Sequence, residues 1–185
     1  MTKRGWIVLG GGTVISALIA ILSWASISTG GNPGGLAVNS DLVEFEIDAS
    51  AARDFDLDLI GGGTVQLSDL RGKVVMVDFW ASWCPPCRVE APALAKVYRE
   101  FQGQPVEFLG VDIWDNIGDA ELFLQQEGQA YPNGFDASGV VAIDYGVRGI
   151  PEKYFIDREG ILVKKLSGPL IETTLRNTIN ELLER

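Results

Sequence analysis

The chain has 185 residues, with 25 acidic against 15 basic side chains for a net charge of −10, and it contains no histidine. The length suits one principal domain, and the acidic balance argues against a nucleic-acid binder that works through phosphate contacts. Without histidine there is no Ser–His–Asp or Cys–His catalysis and no histidine-bound metal.

After Met1-Thr2-Lys3-Arg4 no charge occurs until Asp41, and Trp6 to Ile27 is mostly apolar. A bilayer is crossed by about 20 apolar residues in a helix. Lys3 and Arg4 precede the run, which by the positive-inside tendency places the N-terminus in the cytoplasm and the remainder outside. The apolar core of a cleaved signal peptide is shorter, about 7–15 residues, so an uncleaved single-pass anchor is expected. The expected division is a cytoplasmic terminus at 1–4, a membrane anchor at 5–28, a Gly/Ser-rich linker at 29–41 and one domain at 42–185.

Within that domain, Phe55 to Leu59 alternates apolar and acidic residues, Gly61-Gly62-Gly63 supplies a turn, and Thr64 to Leu67 returns as the second arm of a hairpin. Val74 to Trp80 is nearly all apolar and suits a central strand buried on both faces. Pro86 to Phe101 places Val89, Ala93, Leu94, Val97 and Phe101 at helical spacing. Val106 to Ile113 is a second buried strand. Asp119 to Gln126 and Val140 to Tyr145 read as helices. Lys153 to Ile156 and Ile161 to Leu166 flank the turn sequence Asp157 to Gly160. Ile171 to Leu183 closes the chain as an amphipathic helix whose stripe is Ile171, Leu175, Ile179, Leu182 and Leu183. Strands alternating with helices, then a hairpin and a helix, give an α/β fold with a mixed sheet covered on both faces.

Both cysteines lie in "FWASWCPPCRVEAP", with only Pro85 and Pro86 between Cys84 and Cys87. In the first turn of a helix such positions are neighbours, within the roughly 4.4–6.8 Å Cα separation that a disulfide requires. Cys84 falls at the helix N-terminus, where free N–H groups and the macrodipole favour a thiolate. Neither proline has an N–H, so Cys87 and Arg88 are the nearest backbone donors to that sulfur, and both rings preset a helical start. A purely structural bridge over so short a loop contributes only about 2 kcal/mol. A zinc site lacks two ligands, and covalent haem attachment needs a histidine where Arg88 stands. Reversible dithiol–disulfide exchange is the reading that remains.

"VDFWASWCPPC", with Pro92 five residues after Cys87, resembles thioredoxin-like proteins. The longer stretches "FDLDLIGGGTVQLSDLRGKVVMVDFWASWCPPCRVEAPAL" and "YGVRGIPEKYFIDREG" are similar to the membrane-anchored thiol–disulfide oxidoreductases of the TlpA/ResA/CcmG (DsbE) group. This resemblance implies a thioredoxin-like fold with an N-terminal β-hairpin and a helix-containing insertion near residues 113–135. It implies an extracytoplasmic disulfide reductase, with Cys84 attacking and Cys87 resolving. Glu90, three residues after Cys87, matches an acid that tunes the thiols. Asp78 matches the buried acid of thioredoxin, placed to move a proton to or from Cys87. Trp83, Pro85, Pro86, Ile150 and Pro151 are implied to meet the substrate, and Pro151 to follow a cis peptide bond. The implied partners are a protein disulfide substrate, with apocytochrome c as the candidate, and a membrane thiol-electron donor; a monomer is expected. No cofactor beyond the Cys84–Cys87 disulfide and no metal are expected. A peroxiredoxin-type peroxidase and a non-catalytic apoprotein or metal chaperone are the alternatives.

Overall fold

The computed structural model describes residues 15–21, 23–24, 37–128 and 131–185. The chain divides into two units, Met1–Ala37 and Val38–Arg185. In the first, residues 15–21 and 23–24 are helical. Among the described residues no helix is long and apolar enough to cross a membrane; most of the expected anchor and linker lies outside the described residues.

The second unit is organised around one strand. Val74–Trp80 (here β5) has every side chain buried, as a β-branched, apolar run with neighbours on both faces must. Before it come the short strands Val43–Phe45 (β1) and Ser50–Ala51 (β2) and the antiparallel hairpin Asp56–Asp58 (β3) with Thr64–Gln66 (β4). After it come Val106–Ile113 (β6), Asn133–Asp136 (β7), Glu152–Ile156 (β8) and Ile161–Ser167 (β9). The main sheet runs β1-β9-β8-β5-β6-β7, with β2 also on β9. β5, β6 and β7 are parallel, whereas β8 is antiparallel to both β5 and β9.

The described residues of the unit also form a 3-10 turn at Leu67–Leu70 and the α-helices Pro85–Glu100 (α1), Ile117–Glu127 (α2), Val140–Asp144 (α3) and Glu172–Leu183 (α4). Successive strand residues point to opposite faces. Val74 and Met76 share a core with Leu94 and Val97 of α1 and Leu175, Ile179 and Leu182 of α4. Asp78 has the same parity, so it points to the face that α1 covers. Phe79 points the other way and packs on Tyr145 and Tyr154. The architecture is the mixed α/β thioredoxin-like fold expected from the sequence.

Three differences from the sequence reading have physical causes. Val89 was expected on the buried stripe of α1, yet it is 76% exposed while Glu90 is buried. The inward face contains Cys87, Glu90, Ala91, Leu94, Ala95 and Val97, so the position of the cysteine turn sets the helix rotation and overrides the local apolar pattern. Ile171 likewise is not on the buried stripe of α4 but precedes the helix as its N-cap, 63% exposed. β7 has no counterpart among the strands expected from the sequence. Its backbone pairs with β6, and an added Cβ at Gly134 would lie 2.4 Å from Leu57 Cγ of β3. Glycine serves close approach of the hairpin there, and local sequence does not report such packing. α2 follows local rules at both ends: the Asn116 side chain caps Gly118 N–H, and Gly128 closes the helix in the left-handed region.

Candidate active site

β5 delivers the chain to the cysteines. Past Trp80 the backbone turns, with Cys84 N–H donating to Ala81 C=O at 3.2 Å, and Cys84 becomes the extended N-cap of α1. Pro85 and Pro86 fill the first helical positions, where a missing N–H costs nothing. Cys84 and Cys87 form a disulfide with their Cα atoms 5.3 Å apart. Cys87 N–H points at Cys84 Sγ from 3.3 Å, so a donor is already aimed at this sulfur when reduction leaves it as a thiolate.

A position ahead of the helix predicts a solvent-facing Cys84, and a position one turn inside predicts a more buried Cys87. The structure corrects this, since Cys84 is 0% and Cys87 2% exposed. Pro85 is exposed and Ser82, Trp83 and Pro86 are partly so; the accessible surface of the turn lies on its flanking residues. The two sulfurs differ instead in their place on the helix, Cys84 at the N-cap and Cys87 one turn inside.

The turn is braced from β6. Ser82 N–H donates to Asp115 Oδ2 at 2.5 Å, and Trp83 Nε1–H donates to Trp114 C=O at 3.2 Å. Trp114 itself has φ 50°, a left-handed conformation that is uncommon for a bulky residue. Trp80 stacks against Phe123 of α2. Arg88 donates to Ser82 C=O, pairs with Glu127 at 3.5 Å and lies over the Phe123 ring, which commits its charge to the α1–α2 side.

Beneath α1 the two sequence-identified acids come together. Asp78 and Glu90 are both buried, and the Lys153 ammonium, itself 0% exposed, hydrogen-bonds Glu90 Oε1 and lies 3.3 Å from Asp78 Oδ1. Glu90 Oε2 accepts Leu170 N–H at 2.6 Å, and Asp78 Oδ2 accepts Tyr131 O–H at 3.2 Å. Burial pushes the Glu90 carboxyl up to about 7, with Lys153 pulling down and the Asp78 charge pushing up. Burial and these two acids hold the Tyr131 phenol well above its usual value. Sequence reasoning missed Lys153 and Tyr131. A usable signal existed for the lysine: a buried carboxylate that stays ionised is paired with a cation, and Lys153 heads the apolar run Tyr154-Phe155-Ile156.

Ile150 and Pro151 are joined by a cis peptide bond and both are buried. Glu152 is in register with Phe79, which puts Pro151 at the end of the sheet where β5 hands over to the cysteine turn. The carbonyl of Ile150 accepts Asn39 N–H at 2.8 Å, and that of Pro151 accepts Gly168 N–H at 2.9 Å.

The chain itself has parallels among known proteins. Residues 49–165 match the model of the AhpC/TSA family. The chain belongs to that family. Its thioredoxin-like relatives include the thiol-disulfide oxidoreductase ResA of Bacillus subtilis, 32% identical over 133 residues, covering 72% of this chain and 74% of ResA. The DsbE homologue of Paracoccus denitrificans, a thiol:disulfide interchange protein, is 41% identical over 127 residues, covering 66% of this chain and 68% of the relative. A secreted Mycobacterium tuberculosis disulfide oxidoreductase homologous to Escherichia coli DsbE superposes with a TM-score of 0.63 at 25% identity, covering 69% of this chain and 96% of that one. Within the AhpC/TSA family the chain is thus a thiol–disulfide oxidoreductase of the TlpA/ResA/CcmG group. The matched span runs from β2 into β9 and contains the whole cysteine turn and the Asp78–Glu90–Lys153 cluster.

Proposed function

We propose that this oxidoreductase works outside the cytoplasm as a disulfide reductase, tethered to the membrane by residues 5–28. We further propose that it reduces cysteine pairs of exported proteins, with apocytochrome c as the candidate substrate, and draws electrons from a membrane thiol carrier. The observation that carries the reading is the Cys84–Cys87 disulfide at the start of α1, with a backbone N–H on Cys84 Sγ. Supporting the tether are the uncharged run after Arg4 and the exposed apolar side chains Ile15, Leu18, Ile19 and Ile21 within it.

In the reduced enzyme the Cys84 thiolate attacks a substrate disulfide, forming a mixed disulfide and expelling one substrate thiolate. Cys87 then loses its proton and attacks Cys84 Sγ. The internal disulfide closes, the second substrate thiol leaves, and two electrons have passed to the substrate. Asp78 and Glu90 are the proton acceptors within the fold, and Trp83, Pro85 and Pro86 flank the entering substrate. No cofactor beyond the disulfide is part of this proposal.

Equilibration with glutathione tests the direction. The expected potential lies nearer thioredoxin's roughly −270 mV than DsbA's roughly −120 mV, and a value above about −180 mV overturns the reductase assignment. In the anchored protein, Cys87→Ser is expected to hold mixed disulfides with its substrate, whereas Cys84→Ser holds almost none. Equal trapping by both, or rapid peroxide consumption through Cys84, defeats the assignment.

A further inference from the structure

Lys153 sits in β8 among Tyr154, Phe155 and Ile156, all buried. An ammonium without a partner at such a site is too costly to persist as a charge. Lys153 is paired in register with Asp78 across the β8–β5 ladder, so the two side chains share the sheet face covered by α1. Glu90 meets that face one turn after Cys87. The Lys153 ammonium hydrogen-bonds Glu90 Oε1 and stands 3.3 Å from Asp78 Oδ1. The side chains joined at this point are Asp78 from β5, Lys153 from β8, Glu90 from α1 and Tyr131 from the segment before β7, and Cys87 lies one helical turn before Glu90 on the buried face of α1. Leu170, before α4, contributes only its amide.

The charge count is the essential point. Two carboxylates share one buried cation, so the unit carries −1 with both ionised and becomes neutral on gaining one proton. In a medium of low polarity the difference between those states is large, and the ammonium sets where it falls. We propose that Lys153 is a positioning residue for thiol exchange: it joins Asp78 and Glu90 into one proton-exchanging unit that takes up the Cys87 proton in the resolving step. This rests on the exchange reaction proposed above. The Cys87 S–H bond breaks and its proton goes to a carboxylate of the unit. The freed electron pair forms the Cys87–Cys84 bond. The bond between Cys84 and the substrate sulfur breaks, its electron pair leaving on that sulfur, which is protonated from solvent. The value of about 7 for Glu90 places this exchange in the neutral range.

The test uses the reduced protein and an aromatic disulfide whose two thiols are released in separate absorbance phases, the first on attack by Cys84 and the second on resolution by Cys87. Lys153→Met is expected to move the pH midpoint of the second phase upward by about one unit or more, a tenfold change in the proton equilibrium, and the first phase much less. Because Lys153→Met leaves two buried acids facing one another, Glu90→Gln is also compared with Glu90→Gln/Lys153→Met. The glutamine oxygen still receives Leu170 N–H, and the same upward shift between this pair isolates the action of Lys153 on Asp78. Second-phase midpoints unchanged in both comparisons overturn the role of Lys153. A parent protein that releases no second thiol overturns the exchange reaction itself, so the two failures are distinct.

Discussion

An acid pair at β5 and a single acid on the neighbouring β6 are folded out of water, and they are handled in opposite ways. On β5 and α1, Asp78 and Glu90 enclose a lysine, and every oxygen of Glu90 has a donor. On β6, Asp112 is 0% exposed, and neither carboxyl oxygen has a hydrogen-bond partner among the described residues. Asp112 is in register with Trp80, at the end of the sheet nearest the cysteine turn. Burial, reinforced by the Asp115 charge, pushes Asp112 up to about 9, whereas Glu90, with Lys153 opposing its burial, reaches about 7. The lesson is that a cation within reach brings a buried acid back into the range of thiol chemistry. Without one the acid simply keeps its proton.

The largest effect that tests this contrast is expected from Asp112→Asn. Asp112 rises in the fold from an ordinary 3.8 to about 9. The folded state therefore holds a proton that the unfolded chain has lost, and stability is full below about pH 4 and declines as pH rises toward about 9. The amide removes that decline. Urea unfolding near pH 8 is expected to show Asp112→Asn more stable by about 2–4 kcal/mol, with little difference near pH 4. Equal stability at both pH values would show that Asp112 keeps its charge in the fold and that the contrast with Glu90 is unfounded.

Glu90→Gln probes the other side and should do less. Its carboxyl moves from 4.5 to about 7, again upward, so its contribution to stability is complete below about pH 4.5 and lost as pH rises through about 7. The amide is expected to flatten the stability profile across that window by about 1–3 kcal/mol, leaving the slope above pH 7 to Asp112. The smallest effect belongs to a surface pair. Arg53 and Asp144 lie 2.8 Å apart with side chains 65% and 35% exposed, and Arg53→Ala should change unfolding by less than about 1 kcal/mol, less still in high salt. A surface loss as large as either buried effect would mean that burial is not what separates these sites.

How much of this was legible beforehand varies residue by residue. The Val74–Trp80 strand, the hairpins and the Cys84-Pro-Pro-Cys87 turn follow local rules, namely apolar runs, glycine turns and proline at a helix start, and they appear where the sequence placed them. β7 did not read as a strand, because its Pro-Asn-Gly start mimics a turn and only β6 and Leu57 make it one. Asp78 and Glu90 were identified as acids near the thiols, but their common cation lies 63 residues beyond Glu90.

The sequence by itself determined the chemistry available. Two cysteines one helical turn apart, two prolines between them and no histidine anywhere leave thiol exchange and little else. Tertiary structure decided the protonation landscape around that chemistry. Helix rotation turned Glu90 inward in place of Val89, and strand register brought Lys153 opposite Asp78. Among the described residues no cation pairs with Asp112. Charge interactions in a dry interior depend on ångström distances between groups remote in sequence, and packing sets those distances.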